Sequence, residues 1–409
     1  MCKQCEPRCP PKHCKKCVEK HVIKCLPYNI HKPGQYCLGK DFTWSDAAQS
    51  AITITADNVV LDFNQRVITI TVESFVPLVL VDGVTDVVLD NVHLKATGVA
   101  QNQSVGISLQ SSNNVEVNDA VLLDLNNSSL VANFVNGLSL TNLYVKNLIS
   151  RTFAVSFFNC KNISHFDGKI SGARNLFVDC SIVTIERLQL DNSFAESGLS
   201  GPDRGVQISR SSNVIIKDSN LHAGNAVIIF GTYDGETDTY IDLNLLVENN
   251  VIKTTVGDSA GIFLIRGSGF TFRGNQIKSL GDFFAPGGIQ VVAGRHGTVS
   301  NNTVIGNLSN PSWGIAFASI YGPAGYMNVN DNFVTNSYTG YADHAFGLQA
   351  TCCVFKNNVG TGNVDNDNFI SPNTVNDPSN IFGCELVAPL SVQKTDVLNL
   401  EEKLEFLTK

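Results

Sequence analysis

Apolar and polar positions along this chain repeat one short pattern. Gly106-Ile107-Ser108-Leu109 returns as Gly205-Val206-Gln207-Ile208, Gly261-Ile262-Phe263-Leu264, Gly288-Ile289-Gln290-Val291, Gly314-Ile315-Ala316-Phe317 and Gly347-Leu348-Gln349-Ala350. Looser copies begin near Ala51, Leu78, Ser129, Ala154, Asn175 and Asn225. Each has the alternating or continuous apolar character of a short strand. A second strand follows most copies, as in Val87-Val88-Leu89, Val214-Ile215-Ile216 and Phe270-Thr271-Phe272. A polar turn closes it, where an asparagine recurs: Asn64, Asn91, Asn142, Asn220, Asn250, Asn275, Asn302, Asn332 and Asn358.

A repeat of roughly 20–30 residues holding two or three short strands predicts an all-β solenoid. The fold expected is a right-handed parallel β-helix of roughly twelve coils, each stacked on the last at about 4.8 Å. Inward side chains then form one continuous apolar core. Asparagine suits the turns, because it tolerates left-handed backbone and can hydrogen-bond from coil to coil. A set of separate β domains would not phase the asparagines.

Residues 28–70 carry a resemblance. Tyr28-Asn-Ile-His-Lys-Pro33-Gly34-Gln-Tyr36 leads into Asp57-Asn58-Val59-Val60-Leu61-Asp62-Phe63-Asn64. This resembles the opening of right-handed β-helix repeat proteins of the pectate-lyase-like superfamily, over about residues 50–360. Such proteins occur in bacteria and in large DNA viruses. The resemblance implies a fold and leaves the function open.

Composition divides the chain. Residues 1–40 carry nine Lys/Arg against two acids, whereas the whole chain has a formal charge of −8. Seven of the 12 cysteines also fall there: Cys2, Cys5, Cys9, Cys14, Cys17, Cys25 and Cys37. The organisation expected is a basic Cys-rich head (1–40), a β-helix (41–362) and a C-terminal extension (363–409). In the extension, Asn399 would cap a short helix that puts Leu400, Leu404 and Leu407 on one face.

Cys2/Cys5 and Cys14/Cys17 have zinc-knuckle spacing and could form one tetrahedral zinc site. Disulfides among the head cysteines are the other reading. Cys160, Cys180, Cys352, Cys353 and Cys384 are expected in or beside the rod as small apolar residues. The basic head would dock on an acidic protein surface, or else contact nucleic-acid phosphates. No secretory signal and no run of about 18 apolar residues is visible, so membrane insertion is not expected.

For chemistry, the polygalacturonase pattern was the test. Where that family has Asn-Thr-Asp-Gly and then Gly-Asp-Asp, this chain has Pro202-Asp203-Arg204-Gly205 and then Gly224-Asn225-Ala226. The paired carboxylates needed for acid–base hydrolysis are missing from that alignment. A lyase could draw on Asp203, Asp258 and Asp282 with Arg210, Arg266 or Arg295. Asp203, Arg210, Arg266 and Arg295 are accordingly the candidate carbohydrate-binding residues. The acidic loop 231–242 (Asp234, Glu236, Asp238, Asp242) could hold Ca²⁺, but a solvated turn explains it as well. From these readings the expectation is a non-enzymatic structural protein, a virion component of a large DNA virus. Capsid or other virion proteins would be its partners, with a homotrimer as an analogy-based assembly. A polysaccharide-binding or polysaccharide-cleaving β-helix protein is the alternative.

Overall fold

The computed structural model describes residues 20–98, 104–125, 127–147, 152–192, 204–234, 239–254, 260–279, 287–308, 312–319, 324–342, 352–364, 375–376 and 378–382. The four knuckle cysteines, Asp203, Asp258, Asp282, Glu236, Asp238 and the C-terminal helix expected from Leu400 lie outside the described residues.

The chain is a right-handed parallel β-helix, as the repeat predicts. Each coil has three strands, and corresponding strands of successive coils pair in parallel. The first and second strands of the coils form a 26-stranded sheet, and the third strands form a 14-stranded one. They give the rod three faces. Thirteen coils are described over all three faces, the first opening with Tyr28–Ile30 and the last with Thr339–Ala342; in two of them the first and second strands run on as one, Ala260–Arg273 and Gly287–Ser300. At about 4.8 Å per coil this is a rod about 60 Å long. One cluster of buried side chains fills it, from Ile23 to Phe355.

Strand alternation sets what faces outward. On the second face, Val59, Val87, Val115, Leu138 and Ile163 occupy equivalent inward positions on successive coils. The residue before each of them sits in left-handed backbone. That column reads Asn58, Asp86, Asn114, Gly137, Asn162, Ile182, Asn213, Asn244, Gly269, His296, Tyr326 and Cys352. Asparagine, aspartate and glycine adopt this conformation most readily. Asn114 and Asn244 donate their Nδ2 to Asp86 Oδ1 (3.1 Å) and Asn213 Oδ1 (2.7 Å), linking neighbouring coils.

Seven of the nine recurring asparagines prove to be two features; Asn64 stands one residue past the first of these positions, and Asn220 is the exposed first residue of a third strand. Asn91 and Asn142 are left-handed turn residues on the surface side of the bend between the second and third faces. Asn250, Asn275, Asn302, Asn332 and Asn358 are the residues after such a turn, and they point inward and are buried. Each donates its backbone N–H and its Nδ2 to the Oδ1 of the next, at 2.7–3.1 Å, with Asn380 receiving the last pair. Each Nδ2 also donates to a backbone carbonyl, such as Phe272 O from Asn302 (2.9 Å). Earlier coils fill the same inward position with Val92, Ala120, Leu143 and Leu188.

Cys160, Cys180 and Cys353 are buried in the rod, whereas Cys352 is exposed; all four are free thiols. Cys384 lies outside the described residues.

Candidate functional site

The second face changes character in the coils built from residues 225–254, 260–278, 287–305 and 313–335. The first of these coils is interrupted. After Asn225–Phe230 the chain leaves the rod as a small antiparallel hairpin, Tyr233–Asp234 against Thr239–Tyr240, and returns at Asp242. Asp242 pairs in register with Ser268, and Ser268 with Arg295.

One step further along these strands lies the left-handed column. Here Asn244 is followed by Gly269, His296 and Tyr326 instead of more asparagine. Over Gly269 and Thr271 a slot opens between the coil of Asn244 and the coil of His296. Its volume is about 390 Å³, at the small end of ligand sites. Asp242, Asn244, Gly269, Thr271, Arg273 and His296 line it. The Asp242 carboxylate lies where a Cβ on residue 269 would be, 1.6 Å from its Oδ1, so only glycine fits beneath it. Asp242 Oδ1 also accepts the Asn244 N–H at 3.2 Å. Above the slot, the rings of His296 and Tyr326 stack at 5.0 Å and 15°. Both residues are exposed, Tyr326 by 51%.

The cations nearby have defined partners. Arg273 Nε donates to Glu248 Oε1 at 2.6 Å, a surface pair that raises the guanidinium's pKa. The Arg295 guanidinium stands 5.6 Å from the Tyr240 ring centre, a cation–π contact. That contact ties the hairpin of one coil to the coil two steps on.

Of the four sequence-chosen residues, Arg295 stands beside this slot. Arg210 and Arg266 lie on the bend between the first and second faces, both in left-handed backbone, with Gly231 between them in the stack. They do share one edge of the rod. Arg210 is held by both oxygens of Asp179, at 2.8 and 2.7 Å. Asp203 lies outside the described residues.

Sequence reasoning passed over Asp242 as a solvated loop acid and missed Tyr240, Gly269 and Tyr326 altogether. A usable signal was present: the column position at the start of each second strand is Asn, Asp or Gly in most coils, and of the four exceptions, Ile182, His296, Tyr326 and Cys352, two are adjacent aromatic rings. A second cationic place also went unread. Arg174 and Arg204 neighbour one another on the first face, over Phe153 (4.2 Å) and Phe230 (5.7 Å) respectively. Burial, and then Arg174, pushes the Arg204 pKa down to about 10.

Among the described residues no group of three or more His, Cys, Asp or Glu side chains is placed to hold a metal ion. Among them, too, no helix is long and apolar enough to cross a membrane.

No protein-family model matches the chain, and no curated protein does. Solved structures do. A DFA-IIIase from Arthrobacter chlorophenolicus A6, bound to DFA-III, is 12% identical, with a TM-score of 0.45 and 90% of each chain covered. The A-module of a mannuronan C-5 epimerase from Azotobacter vinelandii is 13% identical, with a TM-score of 0.42 over 87% of this chain and 92% of that one. The catalytic domain of an alpha-1,3-glucanase is 12% identical, with a TM-score of 0.43 over 92% and 71%. Two expectations are corrected by these findings. These three are, by description, enzymes acting on glycans, and a surface adhesin of Streptococcus pneumoniae is also similar (13% identical, TM-score 0.42, 87% and 83% covered); the expectation of a non-enzymatic virion component, with capsid or other virion proteins as partners, is corrected accordingly. One linear motif does not show a functional surface, because a solenoid assembles it from several coils. The β-helix itself rests on the strand pairing; a viral origin has no support.

Proposed function

We propose that the protein binds a polysaccharide in the slot over Gly269 and acts on it there. The observation that carries this reading is the break in the left-handed column. Left-handed backbone disfavours a bulky side chain such as Tyr by about 1 kcal/mol relative to Gly or Asn. Here two aromatic rings, His296 and Tyr326, occupy it side by side, exposed and stacked, next to a glycine.

A sugar ring entering the slot would meet the His296 ring on one side and the polar groups of Asp242 and Asn244 on the other. Thr271 and Arg273 supply further hydrogen-bonding groups. Asp242 and His296 also give one carboxylate and one imidazole on the same slot, a pair suited to moving a proton to or from the bound sugar. Among the described residues Asp242 is the carboxylate that lines the slot, and the neighbouring Glu248 is engaged by Arg273.

The test is binding and turnover across a panel of neutral and acidic polysaccharides, read by affinity electrophoresis and by new reducing ends. Wild type should retard on at least one polysaccharide. His296→Ala and Tyr326→Ala should each weaken binding tenfold or more, while Arg210→Ala leaves it unchanged. Wild-type protein that binds none of the panel would overturn the reading.

A further inference from the structure

We infer that Cys160 and Cys180 are an oxidation site, at which the rod takes up a disulfide between two successive coils; this stands apart from the glycan reading. Both thiols are buried and free. Phe158 pairs in register with Val178, and Lys161 with Ser181, so the two cysteines between them are stacked, one on each coil. Neighbouring strands run about 4.8 Å apart, inside the Cα separation that a disulfide accepts. The side chains also meet. The Cys180 thiol donates to the Cys160 sulfur, the leading cause of both a lowered Cys160 pKa and a raised Cys180 pKa.

Packing at this position does not require a thiol. It is the inward residue at the bend from the first face to the second, held on successive coils by Val84, Ser112, Val135, Cys160, Cys180 and Ser211. Ser112 and Ser211 donate their hydroxyls to the carbonyl two residues back, Gln110 O and Ser209 O, at 2.7 and 2.9 Å. Cys160 and Cys180 make the same contact with Phe158 O and Val178 O, each at 3.3 Å. A hydroxyl or an isopropyl group serves there equally, so what sulfur adds on two adjacent coils is its redox chemistry. Asn159 and Asp179, the residues just before, are exposed, so the sulfurs lie one residue inside the surface.

The oxidant is hydrogen peroxide, hardly larger than water. The Cys160 thiolate, favoured by the bond from Cys180, attacks one peroxide oxygen. The O–O bond breaks, leaving a sulfenic acid on Cys160 and, with the proton that Cys160 gave up, one water. The Cys180 sulfur then attacks the sulfenic sulfur. The S–O bond breaks, the S–S bond forms, and the expelled hydroxide leaves with the Cys180 proton as a second water. The two sulfurs lose two electrons and the peroxide gains them.

The experiment treats the full native chain with hydrogen peroxide, removes the excess with catalase, blocks remaining thiols with iodoacetamide in denaturant, and digests with trypsin without reductant. The tryptic peptides 152–161 and 175–187 should be recovered joined, two hydrogens lighter than their sum, and dithiothreitol should part them. Cys180→Ser should stop at a sulfenic acid on Cys160, which dimedone traps. Cys160→Ser should leave Cys180 a thiol at the same dose. Serine already occupies this position in the coils of Ser112 and Ser211, so both variants should fold. Recovery of the two peptides singly and alkylated, at a dose that oxidises the exposed Cys25 and Cys352, would overturn the inference. A cross-link that forms only in denaturant would overturn it as well.

Discussion

Where the second face bends into the third, the coils from Val92 to Leu188 turn an apolar side chain inward, Gly168 excepted, and those from Asn250 to Asn358 turn an amide inward. The backbone path is the same, since both series are tied to the next coil by the same carbonyl-to-amide bonds. What differs is how the buried backbone beside the bend is satisfied. In the later coils each asparagine's N–H is taken by the side chain of the coil above, and its Nδ2 caps a carbonyl of the coil below. Ser219 marks the change: its N–H donates to Asn250 Oδ1, while its own hydroxyl accepts the Leu188 N–H. The proposed slot and its hairpin belong to the amide-built half. Insertions remove neighbours that would otherwise fix the register, and a hydrogen-bonded ladder restores directionality that apolar packing lacks.

The comparison can be broken most severely at the middle rung. Asn302→Ala removes four hydrogen bonds: two that its Nδ2 donates and two that its Oδ1 accepts from Asn275. With buried partners left unsatisfied, the loss should be on the order of 4 kcal/mol. Denaturant unfolding followed by Trp313, buried in that half, should show it; an unchanged midpoint would mean the ladder is decorative.

Acid should strike the other half. His165 is fully buried, and neither ring nitrogen has a hydrogen-bond partner. Burial pushes its pKa from 6.5 down to about 4. The folded state thus binds fewer protons than the unfolded one between those values. The neutral ring's contribution is complete above pH 6.5, is lost as pH falls to about 4, and levels off below. The loss is roughly 3 kcal/mol. His165→Leu should flatten that part of the stability–pH curve; a slope identical to wild type would reject the assignment.

Gly269→Ala should cost less in stability, about 1–2 kcal/mol for a Cβ at φ +66 that displaces Asp242. Its glycan affinity should vanish, whereas a slot that tolerates the methyl would still bind. The smallest change is a gain. Ile182 is a β-branched, exposed residue in left-handed backbone. Ile182→Asn should stabilise by about 1 kcal/mol, read as a raised thermal midpoint.

The solenoid was legible because its core repeats: Gly205-Val206-Gln207-Ile208 and Gly261-Ile262-Phe263-Leu264 are the same inward and outward choices made twice. The asparagines were legible as a class but not as two positions, since the turn residue and the residue after it are adjacent and both favour Asn. The slot was hidden for another reason. Asp242, Gly269 and His296 are each more than twenty residues from the next, and only coil stacking makes them neighbours. Tyr240 meets Arg295 through an irregular hairpin whose course has no period to read.

The left-handed column has a consequence for how such a rod acquires new specificity. Each coil offers one outward socket whose occupant touches solvent and its two stacked neighbours, and never the core. Exchanging residues there rewrites the recognition surface one letter at a time, without renegotiating the packing beneath. Duplicating or deleting a whole coil would move the letters apart or together by a fixed step of about 4.8 Å. The rod is, in that sense, a movable-type frame, and the glycine beside two aromatic letters is the text now set in it.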